Sequence, residues 1–175
     1  DEEISASFGR FDDHVKEWGF DDEVDAICDE ADRIAKDKLP NVKLYPDALE
    51  VLGTLKKSGK LLGLVTTSMH SQIIDALNKH DMLRLFDAVV SWDDVINHKP
   101  HAEPIEKALE LLGGINNQAI MIGDTEKDIG SANNAGIDSI LFFPPEHKKF
   151  YDFEKMKAHN PSFIVDDFRK VLEIV

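Results

Sequence analysis

From Tyr45 onward, short apolar runs alternate with stretches in which apolar residues recur every three or four positions. The runs are Leu61–Val65, Ala88–Val90, Ala119–Ile122, Ser139–Phe143 and Phe163–Val165, and each has the length of a strand. Between them, "YPDALEVLGTLKKSGK" predicts a helix, with Pro46 near its first turn, Lys56 and Lys57 in its last, and Gly59 as its stop. Further helices are predicted over Gln72–Lys79, Pro104–Leu112, Lys127–Asn134 and Phe168–Ile174. In the second of these, Ile105, Ala108, Leu109 and Leu112 share one face. Strands that are apolar throughout are buried on both faces, and strands separated by helices pair in parallel. The expectation is an α/β fold, a doubly wound parallel sheet covered by helices on both sides.

Residues 1–44 have a different texture. Val24, Ile27, Cys28, Ala31, Ile34 and Ala35 lie at helical spacing in an acid-rich segment. Asp21 and Asp22 suit its cap and first turn, and Pro40-Asn41 its end. Two regions are therefore expected, a small helical part over 1–44 and an α/β core over 45–175. With 42% hydrophobic residues, a chain of 175 can pack a core. A formal net charge of −14 argues against nucleic acid or an anionic membrane as partner. The single cysteine, Cys28, excludes an internal disulfide. No apolar run approaches the roughly 18 residues of a membrane span, and no signal sequence is recognisable. A cytoplasmic monomer or homodimer is expected. The chain opens on the acidic "DEEI" without Met, which reads as a start inside a longer protein.

In such sheets ligands bind beyond the carboxyl ends of the strands. Past Leu61–Val65 come Thr66, Thr67 and Ser68. Past Ala88–Val90 come Ser91, Trp92, Asp93 and Asp94, with Lys99-Pro100 further on. Past Ala119–Ile122 come Gly123, Asp124 and, a turn later, Asp128. Hydroxyls and amides at Thr66-Thr67 suit phosphate oxygens, and Lys99 suits an anion. Asp124 and Asp128 are hard oxygen ligands suited to Mg²⁺, and Gly123 permits close backbone approach beside them. Together they meet the needs of phosphoryl transfer. Singly, each has a structural alternative: Thr66-Thr67-Ser68 also suit a helix cap, Lys99 a surface loop, and Asp128 the first turn of a helix. Asp124, after a buried strand and a glycine, is the hardest to explain structurally. The order and spacing of the set say more than any member.

In that order, "LLGLVTTS", "HKPHAEPIEKALELLG" and "MIGDTEKDIGSANNAG" resemble the second, third and fourth motifs of the haloacid dehalogenase (HAD) superfamily of Mg²⁺-dependent phosphohydrolases. The nearest likeness is to its phosphoglycolate phosphatase and β-phosphoglucomutase-like branch. "VKLYPDALEVLGTLKKSG" resembles the return from a helical cap into the core, and "FDAVVSWDDV" the stretch before the third motif. The resemblance runs from about Glu2 to Val175. It implies that Thr66 binds the transferring phosphoryl group, Lys99 neutralises phosphate and nucleophile, Asp124 ligates Mg²⁺ and Asp128 supports it. It implies a small phosphorylated metabolite as substrate. It makes 1–44 part of a cap and 45–175 a HAD-like Rossmannoid core. Arg10, in the cap loop that reaches the substrate in relatives, is a candidate anion or sugar contact; a solvated surface arginine is the alternative. Asp124→Ala and Lys99→Ala rank as most damaging to activity, with Asp128→Ala milder.

The family's first motif, an apolar strand ending in Asp-x-Asp, supplies the nucleophile and the general acid/base. No two aspartates of this chain stand in that spacing. In the family that strand lies between those carrying the motifs of Thr66 and Asp124. The resemblance therefore implies a core lacking its central first strand and inactive alone, from a parent phosphatase that works through an aspartyl-phosphate. A non-catalytic HAD-like binding module and a sugar-phosphate mutase are the alternatives. His98 and His101 lack the companions of a zinc site. His147, with Lys148 and Lys149, reads as a surface loop, Trp18 and Trp92 as packing, and Cys28 as a buried, inert thiol.

Overall fold

The chain divides into two units, Asp1–Val42 and Lys43–Val175, and the computed structural model describes residues 15–16, 18–38 and 43–175. The first unit contains α1 (Val24–Lys38), entered through a 3-10 turn at Asp21–Glu23. The three acids of that turn stand where free backbone N–H groups favour negative charge. Val24, Ile27, Cys28 and Ala31 are half-buried and Ile34 is exposed, so the apolar stripe is only partly covered. For that reason Cys28 is half-buried, not the fully buried thiol expected.

The second unit holds α2 (Ala48–Lys57), β1 (Gly63–Val65), α3 (His70–Lys79), β2 (Ala88–Val90), α4 (Glu103–Leu112), β3 (Ile120–Gly123), α5 (Glu126–Ala135), β4 (Asp138–Phe142), α6 (Phe153–Lys157) and β5 (Phe163–Val165). It closes on a 3-10 turn, Phe168–Glu173, where the hydrophobic spacing predicts an α-helix. Helix α6 does not show in the hydrophobic pattern. Its signal is Asp152, which caps it by accepting from Glu154 N (2.9 Å) and Lys155 N (3.3 Å).

All strand pairs are parallel, as a run of βα units requires. They form two sheets, β1-β2 and β3-β4-β5. Thr66 N donates to Val90 O (2.9 Å) and Asp87 N to Leu62 O (2.7 Å). The peptide groups of Leu62 and Thr66 therefore face β2, and by alternation those of Gly63 and Val65 face away from it. Among the described residues no strand pairs with that edge, nor with the edge of β3 opposite β4. The divide falls where the resemblance places the strand of the first motif.

Both faces of the three-stranded sheet are covered, as continuous apolar strands demand. On one face Ile140, Phe142 and Val165 pack with Val51 and Leu55 of α2 and with Val171; Ile120, Ile122 and Leu62 complete the cluster. On the other, Met121 meets Ile105 of α4 and Ala132 and Ala135 of α5, while Leu141 packs with Ile129, Phe143 and Met156. Successive residues of β3 and β4 thus enter opposite layers. Each buried Ile or Leu contributes roughly 1.5–3 kcal/mol. Leu62, just before β1, ties the two-stranded sheet to the core of the three-stranded one.

Candidate active site

Helix α5 organises the site. At Gly123, the end of β3, an added Cβ would stand 2.1 Å from Asp128 Cβ and 2.5 Å from its Cγ, so only glycine lets the first turn of α5 fold back so closely. Gly123→Ala is expected to lower stability by about 1–3 kcal/mol through this overpacking. Chemical denaturation measures it, and a change below about 0.5 kcal/mol, the scatter of neutral surface substitutions, would refute the close approach.

Thr125 and Asp128 form a capping box. Asp128 Oδ2 accepts from Thr125 Oγ1 (2.7 Å), Thr125 N (3.0 Å) and Asp124 N (3.2 Å). Its Oδ1 accepts from Lys99 Nζ at 2.6 Å. The two side chains are only 6% and 12% exposed, so this is a buried ion pair. Lys99 Nζ also donates to Val65 O (3.3 Å), a carbonyl on the free edge of β1. One ammonium therefore joins the end of β1 to the start of α5, across the divide between the sheets. Asp128 is the first-turn acid of a helix and the partner of Lys99 at once, and both of its oxygens are engaged.

Lys99 is delivered by a loop that α5 itself holds. Ser131 Oγ donates to His101 O (2.6 Å) and Asn134 Nδ2 to Pro100 O (2.9 Å). Pro100 lies so close to Gly130 that a Cβ there would meet it at 3.0 Å. Upstream, the Glu103 carboxylate accepts from Ile96 N (2.8 Å), Asn97 N (2.9 Å) and Asn97 Nδ2 (2.8 Å). Trp92 stacks on His98, ring centroids 3.3 Å apart. Asp128, Ser131 and Asn134 stand three residues apart on one face of a small-residue helix, and that polar stripe is the sequence signal for these supporting groups.

Thr66 follows Val65 directly. Its Oγ1 accepts from Ser68 N (3.1 Å), closing a local turn. Helix α3 begins at His70, with Met69 in the cap position and no side-chain cap bond, so Thr66-Thr67-Ser68 do not serve as its cap. Thr67 is exposed.

Asp124 is differently placed from Asp128. Burial first, and the neighbouring Asp128 carboxylate second, push its carboxyl above the usual range; opposing pulls from His147, a backbone hydrogen bond and Lys99 offset this only in part. Among the described residues no three His, Cys, Asp or Glu side chains converge on a metal position. Mg²⁺ uses one or two carboxylates and keeps its waters. A desolvated carboxylate beside one already paired with lysine is a donor set that fits a hard cation held through Asp124.

His147 is not on the surface; it is 6% exposed. Its turn, Pro145–Lys149, follows β4, and β4 pairs with β3 so that Leu141 lies opposite Gly123. The turn therefore stands at the sheet edge that carries Asp124. Only His147 turns inward, while Lys148 and Lys149 are exposed as expected. His147 Nε2 lies 2.5 Å from Tyr45 Oη, and the rings of Tyr45, Phe142, Phe143 and Tyr151 surround the imidazole. Burial first and the Asp124 charge second push both tyrosine phenols up. The spacing of Phe143, His147 and Tyr151, four residues each, is the signal for an inward histidine that local polarity hides. Arg10 lies outside the described residues.

A profile of the haloacid dehalogenase-like hydrolase family matches residues 2–142. This chain belongs to that family. The HAD-like chain is 34% identical over 134 residues to pyrophosphatase PpaX of Bacillus cereus (strain AH820), and 33% identical over 134 residues to that of Bacillus mycoides (strain KBAB4). Each match covers 77% of this chain and 60% of the relative, so the chain spans 60% of the length of these curated relatives. Among solved structures it is similar to a predicted phosphoglycolate phosphatase from Haemophilus somnus 129pt, with TM-score 0.77 and 25% identity over 87% of this chain and 67% of that one. A HAD-superfamily hydrolase, subfamily IA, variant 1, from Geobacter sulfurreducens gives TM-score 0.66 and 25% identity over 80% of this chain and 65% of that one. The parallel α/β core expected from the sequence is the core these proteins share. No helix among the described residues is long and apolar enough to cross a membrane.

Proposed function

We propose that the HAD-like chain is the core and part of the cap of a Mg²⁺-dependent phosphatase of small phosphorylated metabolites. Its nucleophilic aspartate lies on a strand outside these 175 residues, seated between β1 and β3. The observation that carries this reading is the Lys99 ammonium, which bridges Val65 O and Asp128 Oδ1 at the mouth of the divide. There it is a fixed cation beside both the position of an incoming carboxylate and a transferring phosphoryl group. Thr66 retains its hydroxyl hydrogen for a phosphate oxygen, because Oγ1 accepts from Ser68 N, and Thr67 adds a backbone N–H. Asp128 fixes Lys99 and the first turn of α5, which leaves Asp124 as the direct metal ligand. Bound there, Mg²⁺ would neutralise charge on the phosphoryl oxygens. The relatives named pyrophosphatases favour a diphosphate as a second substrate class.

The test joins to the chain the apolar run ending in Asp-x-Asp that is expected upstream of residue 1. Phosphate release is then followed from p-nitrophenyl phosphate, 2-phosphoglycolate and pyrophosphate. The 175 residues alone should be inactive. The extended protein should hydrolyse at least one substrate, with activity abolished by EDTA and restored by Mg²⁺. A folded, extended protein that releases no phosphate from any of them overturns the reading in favour of a non-catalytic module.

A further inference from the structure

We propose that Tyr45 is a substrate-positioning donor and that His147 sets its proton: His147 Nε2–H donates to Tyr45 Oη, leaving the phenol O–H to donate to an oxygen of the phosphorylated substrate. This rests on the phosphate-site reading above.

A neutral imidazole carries one proton, on Nδ1 or on Nε2, and an imidazolium carries both, so that it too would donate from Nε2. The Nδ1 of His147 is fully buried and has no hydrogen-bond partner among the described residues, whereas Nε2 faces the Tyr45 oxygen at 2.5 Å. An orphaned buried N–H is rarer and costlier than an unused acceptor. The proton therefore belongs on Nε2, and the phenol oxygen is the acceptor in this bond. The hydrogen of Tyr45 is then not consumed by His147. Tyr45 is 40% exposed, and that hydrogen is assigned to a ligand. Its ring is held edge-on against Phe142, centroids 5.0 Å apart with planes at 87°, so the hydroxyl is fixed in place. Burial and the nearby Asp124 charge keep the phenol protonated. The result is an oriented neutral donor within the electrostatic reach of Asp124. Such a donor suits an ester or leaving-group oxygen.

Two measurements on the 175-residue chain test this. Long-range ¹⁵N–¹H correlation of the imidazoles, with His147→Gln to assign the signal, should show His147 protonated on Nε2. Protonation on Nδ1 overturns the proposal. Titration with inorganic phosphate, followed by NMR, should show binding weakened about tenfold by Tyr45→Phe, the size of one hydrogen bond to a charged group. His147→Leu, which removes the Nε2 donor, should weaken it similarly. His147→Gln, whose amide can still donate to the phenol, should keep most of it. Phosphate binding indifferent to Tyr45→Phe overturns the proposal and leaves the phosphate site standing. A folded chain that binds no phosphate counts against the phosphate-site reading instead, and the tautomer alone then decides the role of His147.

Discussion

Asp128→Ala is expected to destabilise the core unit by about 3–5 kcal/mol, the cost of breaking a buried ion pair from one side. The substitution leaves the Lys99 ammonium, whose side chain is 12% exposed, with Val65 O as its remaining acceptor among the described residues. It also strips Thr125 Oγ1, Thr125 N and Asp124 N of the oxygen they share, so the capping box is lost with the ion pair. For a chain of this length that loss corresponds to a fall in melting temperature of roughly 10 °C. Lys99→Met should cost less, because the methionine fills the space and Asp128 keeps its three donors on Oδ2. The order in stability is thus Asp128→Ala worse than Lys99→Met. The ranking read from the sequence motifs, which puts Asp128 last, concerns activity and is a separate expectation from this order in stability. Urea denaturation of the two variants at pH 7 decides. A loss at Asp128→Ala below about 1 kcal/mol, typical of an exposed pair, would mean the pair is not buried as described.

The parts of the fold legible in the sequence are those set by local pattern. Ala88–Val90 and Phe163–Val165 are strands at their expected residues, because a short apolar run between turn signals has few other uses. The order of Thr66, Lys99 and Asp124 past successive strands was equally readable, since parallel strands must bring those ends to one edge. What tertiary contact decides was not. Nothing in "NHKPHAEP" says that Lys99 is held by the backbone of His101 and Pro100 resting on Ser131 and Asn134. Nor does the double role of Asp128 show in "GDTEKD", where capping and ion pairing look like rival readings. His147 sits in a run of three basic residues after two prolines, so its local environment reads as solvent. Its burial follows from aromatic rings contributed by Tyr45, Phe142, Phe143 and Tyr151, and Tyr45 is about a hundred residues distant in sequence.

Asp124→Asn should separate function from stability in the opposite sense. Burial and the Asp128 charge raise the Asp124 carboxyl above its usual range. Below the unfolded-state pKa of about 3.9 the group is protonated folded or unfolded, and it costs nothing. As the pH rises from there through the folded-state pKa, the unfolded chain releases its proton first, and folding loses stability; above that pKa the penalty is complete. Asparagine keeps the shape and removes the charge. The variant should therefore be more stable than the natural chain at pH 7 by roughly 1 kcal/mol, a gain of the kind found when a functional strain is removed. The advantage should vanish toward about pH 3–4, where the aspartate is neutral in both states. In the extended, active protein the same substitution should lower hydrolysis by about a thousandfold, since a Lewis-acid cation supplies several kcal/mol to the transition state. Added Mg²⁺ should raise the melting temperature of the natural protein and not of the variant. Thermal scans across pH, with and without Mg²⁺, read the first effect and steady-state assays the second. An Asp124→Asn protein that is less stable at pH 7 would make Asp124 a structural group. One that keeps full activity would remove it from the metal site. Stabilisation together with inactivity, and with loss of the Mg²⁺ effect on melting, is the result expected of a carboxylate held ready for a cation.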